Sequence, residues 1–223
     1  KITVIACGTA YHAGMVAKYA IEKWAKIPVD VEIASEFRYR DPIIDPSTLI
    51  IAISQSGETM DTLMAVRHAK AAGGRVLAIC NTNSSTIPRE SDAVLYTHAG
   101  PEIAVASTKA LLTQIIAVYL IGLHLGQVNG SLKDTEVRDL YKELLELPGK
   151  IEQILETVEP LRALTRTFAQ NNTVLFLGRN IGYPVALEGA LKLKELAYIH
   201  AEGFAGGELK HGPIALIDKG TPV

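Results

Sequence analysis

Apolar runs of strand length alternate with stretches of helical periodicity over the first 130 residues of the chain. Most of these runs are continuous, which is typical of strands buried on both faces of a parallel sheet. Helices between strands at this spacing indicate βαβ units. The predicted strands are Ile2–Ala6, Val29–Ile33, Leu49–Ile53, Val76–Ile79 and Ala93–Tyr96.

The helical stretches between these strands are equally clear. A helix is predicted from about Met15 to Lys26, and another follows Thr59. Val105–Lys109 opens a long apolar helix that includes Leu111–Leu125. This last stretch is too short and too often interrupted by polar residues to span a bilayer, so it is predicted to be a core helix.

Beyond residue 130 the pattern changes and then repeats. Ser131–Gln170 is rich in Glu, Lys and Leu and predicts an amphipathic helical connector. Thr173–Leu177 restarts the strand pattern, about 170 residues after the first strand–glycine–helix unit. We therefore predict an α/β protein of three-layer α/β/α parallel-sheet lobes. The first lobe is 1–130, the connector 131–170, and the start of a second lobe 171–223.

The second lobe is expected to be incomplete, because the same offset applied to Ser54 falls just beyond Val223. Lys1 also lies inside a strand pattern, so the sequence is expected to be part of a longer protein.

Ser54–Thr59 stands between a buried strand and a helix and is rich in hydroxyls. In an open α/β sheet such a turn lies at the carboxyl edge, where ligands bind, and the helix dipole favours an anion there. Gly57 permits close backbone approach, and the hydroxyls can donate without adding charge. The alternative is that Ser and Thr simply cap the helix. Three hydroxyls exceed what capping requires, so we favour a site for phosphate or a phosphorylated sugar.

Charged side chains in the last third of the chain are candidates for catalysis. Glu188, Lys192 and Glu195 are spaced to share one helix face, and the alternative is a solvent-facing Glu–Lys pair. The stripe follows a glycine-rich turn at the carboxyl end of a strand, where a helix face can line a crevice, which favours the site. Ala201–Pro213 is predicted to be a glycine-rich loop, and it carries His211. A carboxylate and a histidine beside a phosphate site suit proton transfer next to a carbonyl. Ser107 is either a helix cap or a ligand contact.

Composition excludes several other classes of function. The 223 residues have a formal net charge of -2 with interspersed signs, which gives no support for a nucleic-acid or membrane surface. Cys7 and Cys80 each follow a predicted strand and are expected to be small buried side chains in a reducing cytosol. The six histidines lack ligand spacing, so no metal or other cofactor is expected.

Four stretches together resemble one enzyme family: Ser54–Thr59, Val105–Lys109, Glu188–Glu195 and Gly207–Pro213. The first alone is similar to sugar isomerase (SIS) domains in general, whereas the last two are much more specific. Nearly the whole chain resembles the isomerase region of the glutamine–fructose-6-phosphate aminotransferases, also called glucosamine-6-phosphate synthases. The resemblance implies flavodoxin-like SIS lobes that act on fructose 6-phosphate.

The resemblance also implies roles for individual residues. Glu195 would move the proton between C1 and C2, with Lys192 beside it. His211 would open the sugar ring from the neighbouring subunit of a homodimer. The implied substrate contacts are Thr9, Ser54, Gln55, Ser56, Thr59, Val105 and Ser107.

Two departures from the family pattern stand out. Ala10 replaces a common Ser, so one hydroxyl contact is missing. The family's active-site lysine in the carboxyl tail and its amino-terminal glutaminase domain lie outside this sequence, which puts the activity of the piece alone in doubt.

The function implied is that of a cytoplasmic transferase of hexosamine biosynthesis. It would use glutamine-derived ammonia and isomerise the aminated fructose 6-phosphate to glucosamine 6-phosphate. The alternatives are another SIS-type aldose–ketose isomerase and a non-catalytic sugar-phosphate sensor.

Overall fold

The computed structural model describes residues 1–223, apart from the side chain of Phe168. It divides into two compact units, Lys1–Leu132 and Lys133–Val223. The first unit contains a five-stranded, entirely parallel sheet in the order β2-β1-β3-β4-β5. Its elements are β1 Ile2–Ala6, α1 Gly8–Ala25, β2 Val29–Ile33, α2 Ala34–Phe37, β3 Leu49–Ser54, α3 Met60–Ala71, β4 Arg75–Cys80, α4 Thr86–Glu90, β5 Ala93–Tyr96 and α5 Lys109–Val128.

Helices cover both faces of this sheet, which confirms the predicted three-layer α/β/α architecture. Side chains of a strand alternate between faces, so Ile50 and Ala52 pack with Leu63 and Val66 of α3 on one side. Residues from the opposite faces of the same strands pack against α1 and α5 on the other side. The continuous apolar runs of the sequence follow from this burial on both faces.

Helix α5 is long and apolar enough to cross a membrane by length and composition alone. In the structure it packs along α1, where Gly122 and Gly126 allow close approach to Trp24. Ala117 and Val118 of α5 are buried with the sheet residues. One face of α5 is thus buried in the core of the first unit, as the sequence predicts, whereas Leu112 and Leu120 on the helix are exposed.

The second unit begins with three helices and continues with a strand–helix–strand unit. Strands β6 and β7 form a parallel two-stranded sheet. Its elements are α6 Asp134–Leu145, α7 Leu147–Leu155, α8 Val158–Phe168, β6 Thr173–Gly178, α9 Gly182–Ala197, β7 His200–Ala205 and two short 3₁₀ helices, Gly206–His211 and Pro213–Leu216.

The predicted internal repeat is present as a repeated βαβ unit. Ile2 pairs with Val29 in the first unit, and Thr173 pairs with His200 in the second. The sequence separation between partners is the same in both pairs, so the two copies share one register. Their lengths differ slightly: β6 and β7 have 6 residues each where β1 and β2 have 5, and α9 has 16 where α1 has 18.

Two predicted boundaries are wrong. Helix α1 begins at Gly8, well before Met15, and therefore includes Thr9 in its first turn. Ala201–Pro213 is not a loop, because strand β7 and a 3₁₀ helix occupy most of it. A Cβ at Gly203 would lie 2.9 Å from the backbone of Leu187, so this glycine is required by the packing of strand against helix and is not a sign of a flexible loop.

The cysteines are expected to differ in reactivity. Cys80 is buried, and burial raises the pKa of its thiol to about 12, so almost no thiolate exists at neutral pH. Cys7 is half-buried. Iodoacetamide should therefore label Cys7 first, and Cys80 only after denaturation, as measured by peptide mass spectrometry. In a Cys7→Ser control the native protein should stay unlabelled; rapid labelling of that variant would contradict the burial of Cys80.

Candidate functional site

The strand order of the first unit creates a crevice at one edge of its sheet. Strands β1 and β3 are parallel neighbours, and the chain winds in opposite directions on either side of them. In doubly wound sheets this switch point is where ligands bind, outside the carboxyl ends of the strands. The turn after β1 leads into Thr9, and the turn after β3 is Ser54–Thr59, here called the hydroxyl turn.

The hydroxyls of this turn have different environments. Ser54 is 2% exposed, and its Oγ accepts the Gly57 N–H at 3.1 Å and contacts Thr59 Oγ1 at 3.1 Å. Ser56 is half-buried and its Oγ accepts the Glu58 N–H at 3.2 Å. Thr59 occupies the N-cap position of α3, but its side chain makes no capping hydrogen bond. The simple capping interpretation therefore lacks its defining contact, and Ser54 mainly shapes the turn.

Backbone hydrogen bonds hold the hydroxyl turn from outside. The carbonyl of Gln55 accepts the N–H groups of Asn81 and Thr82 at 3.1 and 3.3 Å. The carbonyl of Gly57 accepts the Ile87 N–H at 2.9 Å. The loop after β4 and the start of α4 thus fix the turn without using its hydroxyls.

The charged residue of the turn is also held in place. The Glu58 carboxylate accepts the Thr86 N–H at 2.7 Å and its hydroxyl at 3.1 Å. These two donors, the hydroxyl foremost, hold the pKa of Glu58 below its ordinary value. The carboxylate is therefore bound to the start of α4, which lessens its repulsion of an anion at the turn.

Gly57 has a left-handed backbone, with φ +67°. A Cβ at this position would overlap Ser85 Oγ and lie 2.8 Å from Ser85 Cβ. Glycine is therefore required both by the conformation and by the space.

The loop before α5 carries the two residues predicted to contact the sugar. Val105 is 93% exposed. Thr108, not Ser107, is the N-cap of α5, so the capping alternative for Ser107 is wrong. The Ser107 Oγ is buried and, among the residues that the structure describes, has no hydrogen-bond partner. A buried hydroxyl in this state costs about 1–3 kcal/mol, which a ligand could recover.

The charged stripe of α9 lies in the second unit. Lys192 Nζ is 2.5 Å from Glu195 Oε2 and 3.3 Å from Glu188 Oε1, so the three share one face as predicted. Glu188 is 6% exposed, which contradicts the alternative of a solvent-facing pair. A buried carboxylate must be paired, and Lys192 supplies that charge. Glu195 is partly exposed.

His211 is the last residue of the first 3₁₀ helix and is exposed. It is followed by Gly212, whose φ of +132° turns the chain. Across the described part of the chain, no three His, Cys, Asp or Glu side chains are grouped so that they could hold a metal ion.

Comparison with known proteins identifies the family. The SIS domain matches residues 1–123 and 167–223. The chain belongs to the SIS domain family.

Among the relatives of this SIS protein are long enzymes that share its whole length. It is 69% identical over 223 residues to glutamine–fructose-6-phosphate aminotransferase (isomerizing) of Streptomyces coelicolor, and 66% identical to the enzyme of that name from Mycolicibacterium paratuberculosis. All of the chain aligns, but it spans 36% of the length of these relatives.

A solved structure matches the fold of this SIS chain closely. The C-terminal domain of glucosamine-fructose-6-phosphate aminotransferase from Francisella tularensis superposes with a TM-score of 0.97 at 46% identity. The match covers 99% of this chain and 62% of the other.

Substitution of Gly57 should lower the free energy of unfolding more than substitution of a glycine that has open space around it. Gly57→Ala combines a left-handed alanine, about 1–2 kcal/mol, with overpacking against Ser85, about 1–3 kcal/mol. Gly73 has φ +87° and no atom within 4 Å of an added Cβ. Gly73→Ala should therefore lower the free energy of unfolding only by the cost of the left-handed alanine, about 1–2 kcal/mol. Urea unfolding, followed by the fluorescence of Trp24, the one tryptophan, measures the free energy of unfolding of both variants. Adding Ser85→Gly should recover part of the Gly57→Ala loss; equal losses for the two alanine variants would contradict the contact.

Proposed function

We propose that this chain is the sugar isomerase part of a glutamine–fructose-6-phosphate aminotransferase. In this proposal it binds fructose 6-phosphate, and after amination with glutamine-derived ammonia it forms glucosamine 6-phosphate. The observation that carries the proposal is the preformed hydroxyl turn at the switch point of the sheet, in a chain 69% identical to an enzyme of that name.

The hydroxyl turn would hold the phosphate. The first amides of α3 and the hydroxyls of Ser56 and Thr59 offer donors near a positive helix end. Ser54 supports them through its contact with Thr59, and Gln55 and Thr9 complete the predicted contacts. Binding by uncharged donors suits a substrate that must be released after each cycle.

The stripe of α9 would carry the proton transfer. Glu195 is the proposed base that moves a proton between C1 and C2 of the open-chain sugar. Lys192, 2.5 Å from it, would stabilise its charged form and developing negative charge on the substrate oxygen. His211, exposed at the end of its 3₁₀ helix, is the proposed ring-opening residue, supplied to the neighbouring subunit of a homodimer.

The length of the relatives supports a further domain in the whole enzyme. They are much longer than this chain, which agrees with an additional glutaminase domain that releases ammonia. A cytoplasmic location remains a prediction from composition and family.

Loss of two hydroxyls should weaken binding of phosphorylated sugars selectively. Ser56→Ala with Thr59→Ala should raise the Kd of glucosamine 6-phosphate about a hundredfold or more, because each of the two donors to a charged group contributes about 1.5 kcal/mol or more. Isothermal titration measures the change. Thr165→Ala with Thr167→Ala is the matched control, since these hydroxyls bond to carbonyls of their own helix. An equal loss for unphosphorylated glucosamine would contradict a phosphate site.

Neutralising Glu195 should separate binding from chemistry. In the full-length protein, Glu195→Gln should bind glucosamine 6-phosphate within about twofold of wild type. It should exchange the C2 proton with solvent at least about a hundredfold more slowly, the contribution expected of a general base. Deuterium incorporation followed by NMR measures the rate.

Glu202→Gln, the same change at an exposed position of β7, is the control and should exchange normally. Normal exchange in Glu195→Gln would remove Glu195 from the mechanism. Binding without exchange in wild type would favour a sugar-phosphate sensor, and exchange without use of glutamine would favour another isomerase.

A further inference from the structure

The large apolar side chains of the loop between β5 and α5, residues 97–108, do not pack into the core. Ile103 is 90% exposed and Val105 93% exposed, whereas Ala106 is buried. The segment contains neither strand nor helix. A loop that carries two proposed sugar contacts must nevertheless keep one shape if those contacts are to be preformed. Side-chain hydrogen bonds from two residues outside the proposed contacts provide that shape.

Asn81 ties the start of this loop to the hydroxyl turn. Its side-chain Nδ2 donates to the Gly100 carbonyl at 2.7 Å. Its Oδ1 accepts the Ala99 N–H at 2.8 Å and the Thr97 hydroxyl at 3.1 Å. Its own backbone N–H donates to the Gln55 carbonyl. One asparagine therefore bonds to the loop through its side chain and to the hydroxyl turn through its backbone.

The backbone next to the Asn81 hydrogen bonds has an unfavourable conformation. His98 has φ +52° and Gly100 has φ +68°, both left-handed. For a residue with a side chain such as His98 this conformation costs about 1–2 kcal/mol and needs support from its surroundings. The bonds to Ala99 and Gly100 lie beside these two residues and supply the support.

Glu102 holds the end of the loop. Its carboxylate accepts the Thr108 hydroxyl at 2.6 Å, the Thr108 N–H at 3.3 Å and the Ala110 N–H at 3.0 Å. These bonds, that of the Thr108 hydroxyl above all, lower the pKa of Glu102. A side chain within the loop thus satisfies the first amides of α5, immediately beside Ser107, whose buried hydroxyl has no partner in the described part of the chain.

We propose that Asn81 and Glu102 are positioning residues for recognition of the sugar. They fix the β5–α5 loop relative to the hydroxyl turn, so that Val105 and Ser107 already stand beside the sugar when the turn binds its phosphate. This inference rests on the proposed function and adds to it. The hydroxyl turn then binds the phosphate, and the β5–α5 loop contacts the sugar. Asn81 connects these two segments.

The test compares two probes, glucosamine 6-phosphate and inorganic phosphate, by titration of the full-length protein. Glu102→Ala removes the acceptor of all three bonds that hold the end of the loop. The Kd for glucosamine 6-phosphate should rise about tenfold, and the Kd for inorganic phosphate should stay within about twofold. Asn81→Ala should show the same split.

Matched variants separate positioning from general damage. Glu90→Ala makes the same change at a surface ion pair with Arg67, and Asn83→Ala removes an exposed amide two residues beyond Asn81; both should bind like wild type. Thr108→Val removes one Glu102 contact with little change of shape, and it serves if Glu102→Ala fails to fold. Combined with Glu102→Ala it should add almost nothing, because Glu102→Ala already removes the bond of the Thr108 hydroxyl.

The outcomes distinguish this inference from the proposal on which it rests. If wild type binds neither probe, both are overturned. If wild type binds glucosamine 6-phosphate and Glu102→Ala and Asn81→Ala bind it equally well, only the positioning role is overturned. Equal weakening of both probes would likewise overturn it, because the variants would then act on the phosphate turn and not on the sugar loop.

Discussion

The left-handed Gly57, pressed against Ser85, connects β3 to α3 and directs the start of that helix across the end of its strand. With a side chain at this position the turn could not lie against the loop after β4. The hydrogen bonds of the Gln55 and Gly57 carbonyls depend on the same close approach. Because these bonds use backbone atoms, the hydroxyls of Ser56 and Thr59 remain at the crevice. The turn is thus formed before any ligand arrives, which lowers the entropy lost on binding.

The distribution of charge follows from this arrangement. The hydroxyl turn contains one charged side chain, Glu58, and Thr86 binds that carboxylate at the start of α4. Helix dipole and neutral donors then provide the attraction for an anion. The charged residues proposed for proton transfer are on α9, where Lys192 lies between a buried and a partly exposed carboxylate. In the proposed function, binding and proton transfer therefore belong to different elements with different electrostatics.

The sequence predicted the strands well, since continuous apolar runs arise directly from burial on both faces of a sheet. The prediction from sequence was wrong or incomplete where one residue type can serve more than one structural purpose. Gly203 suggested a loop but serves the contact of β7 with Leu187. Glu102 was overlooked, because a carboxylate in a loop gives no periodic signal and its partners are found only after the chain folds. The buried role of Ser54 was likewise hidden, as motif recognition treats every hydroxyl of the turn alike.

The internal repeat shows that two copies of one βαβ backbone can carry very different side chains on the same helix face. The two βαβ units have the same register, which makes Ala17, Ile21 and Trp24 of α1 equivalent to the charged stripe of α9. In the first copy that face packs against α5, with Trp24 edge-on to Tyr119. In the second copy the same face carries two carboxylates and a lysine. One backbone arrangement therefore supports a hydrophobic interface or a charged face, and residue substitution alone decides between them.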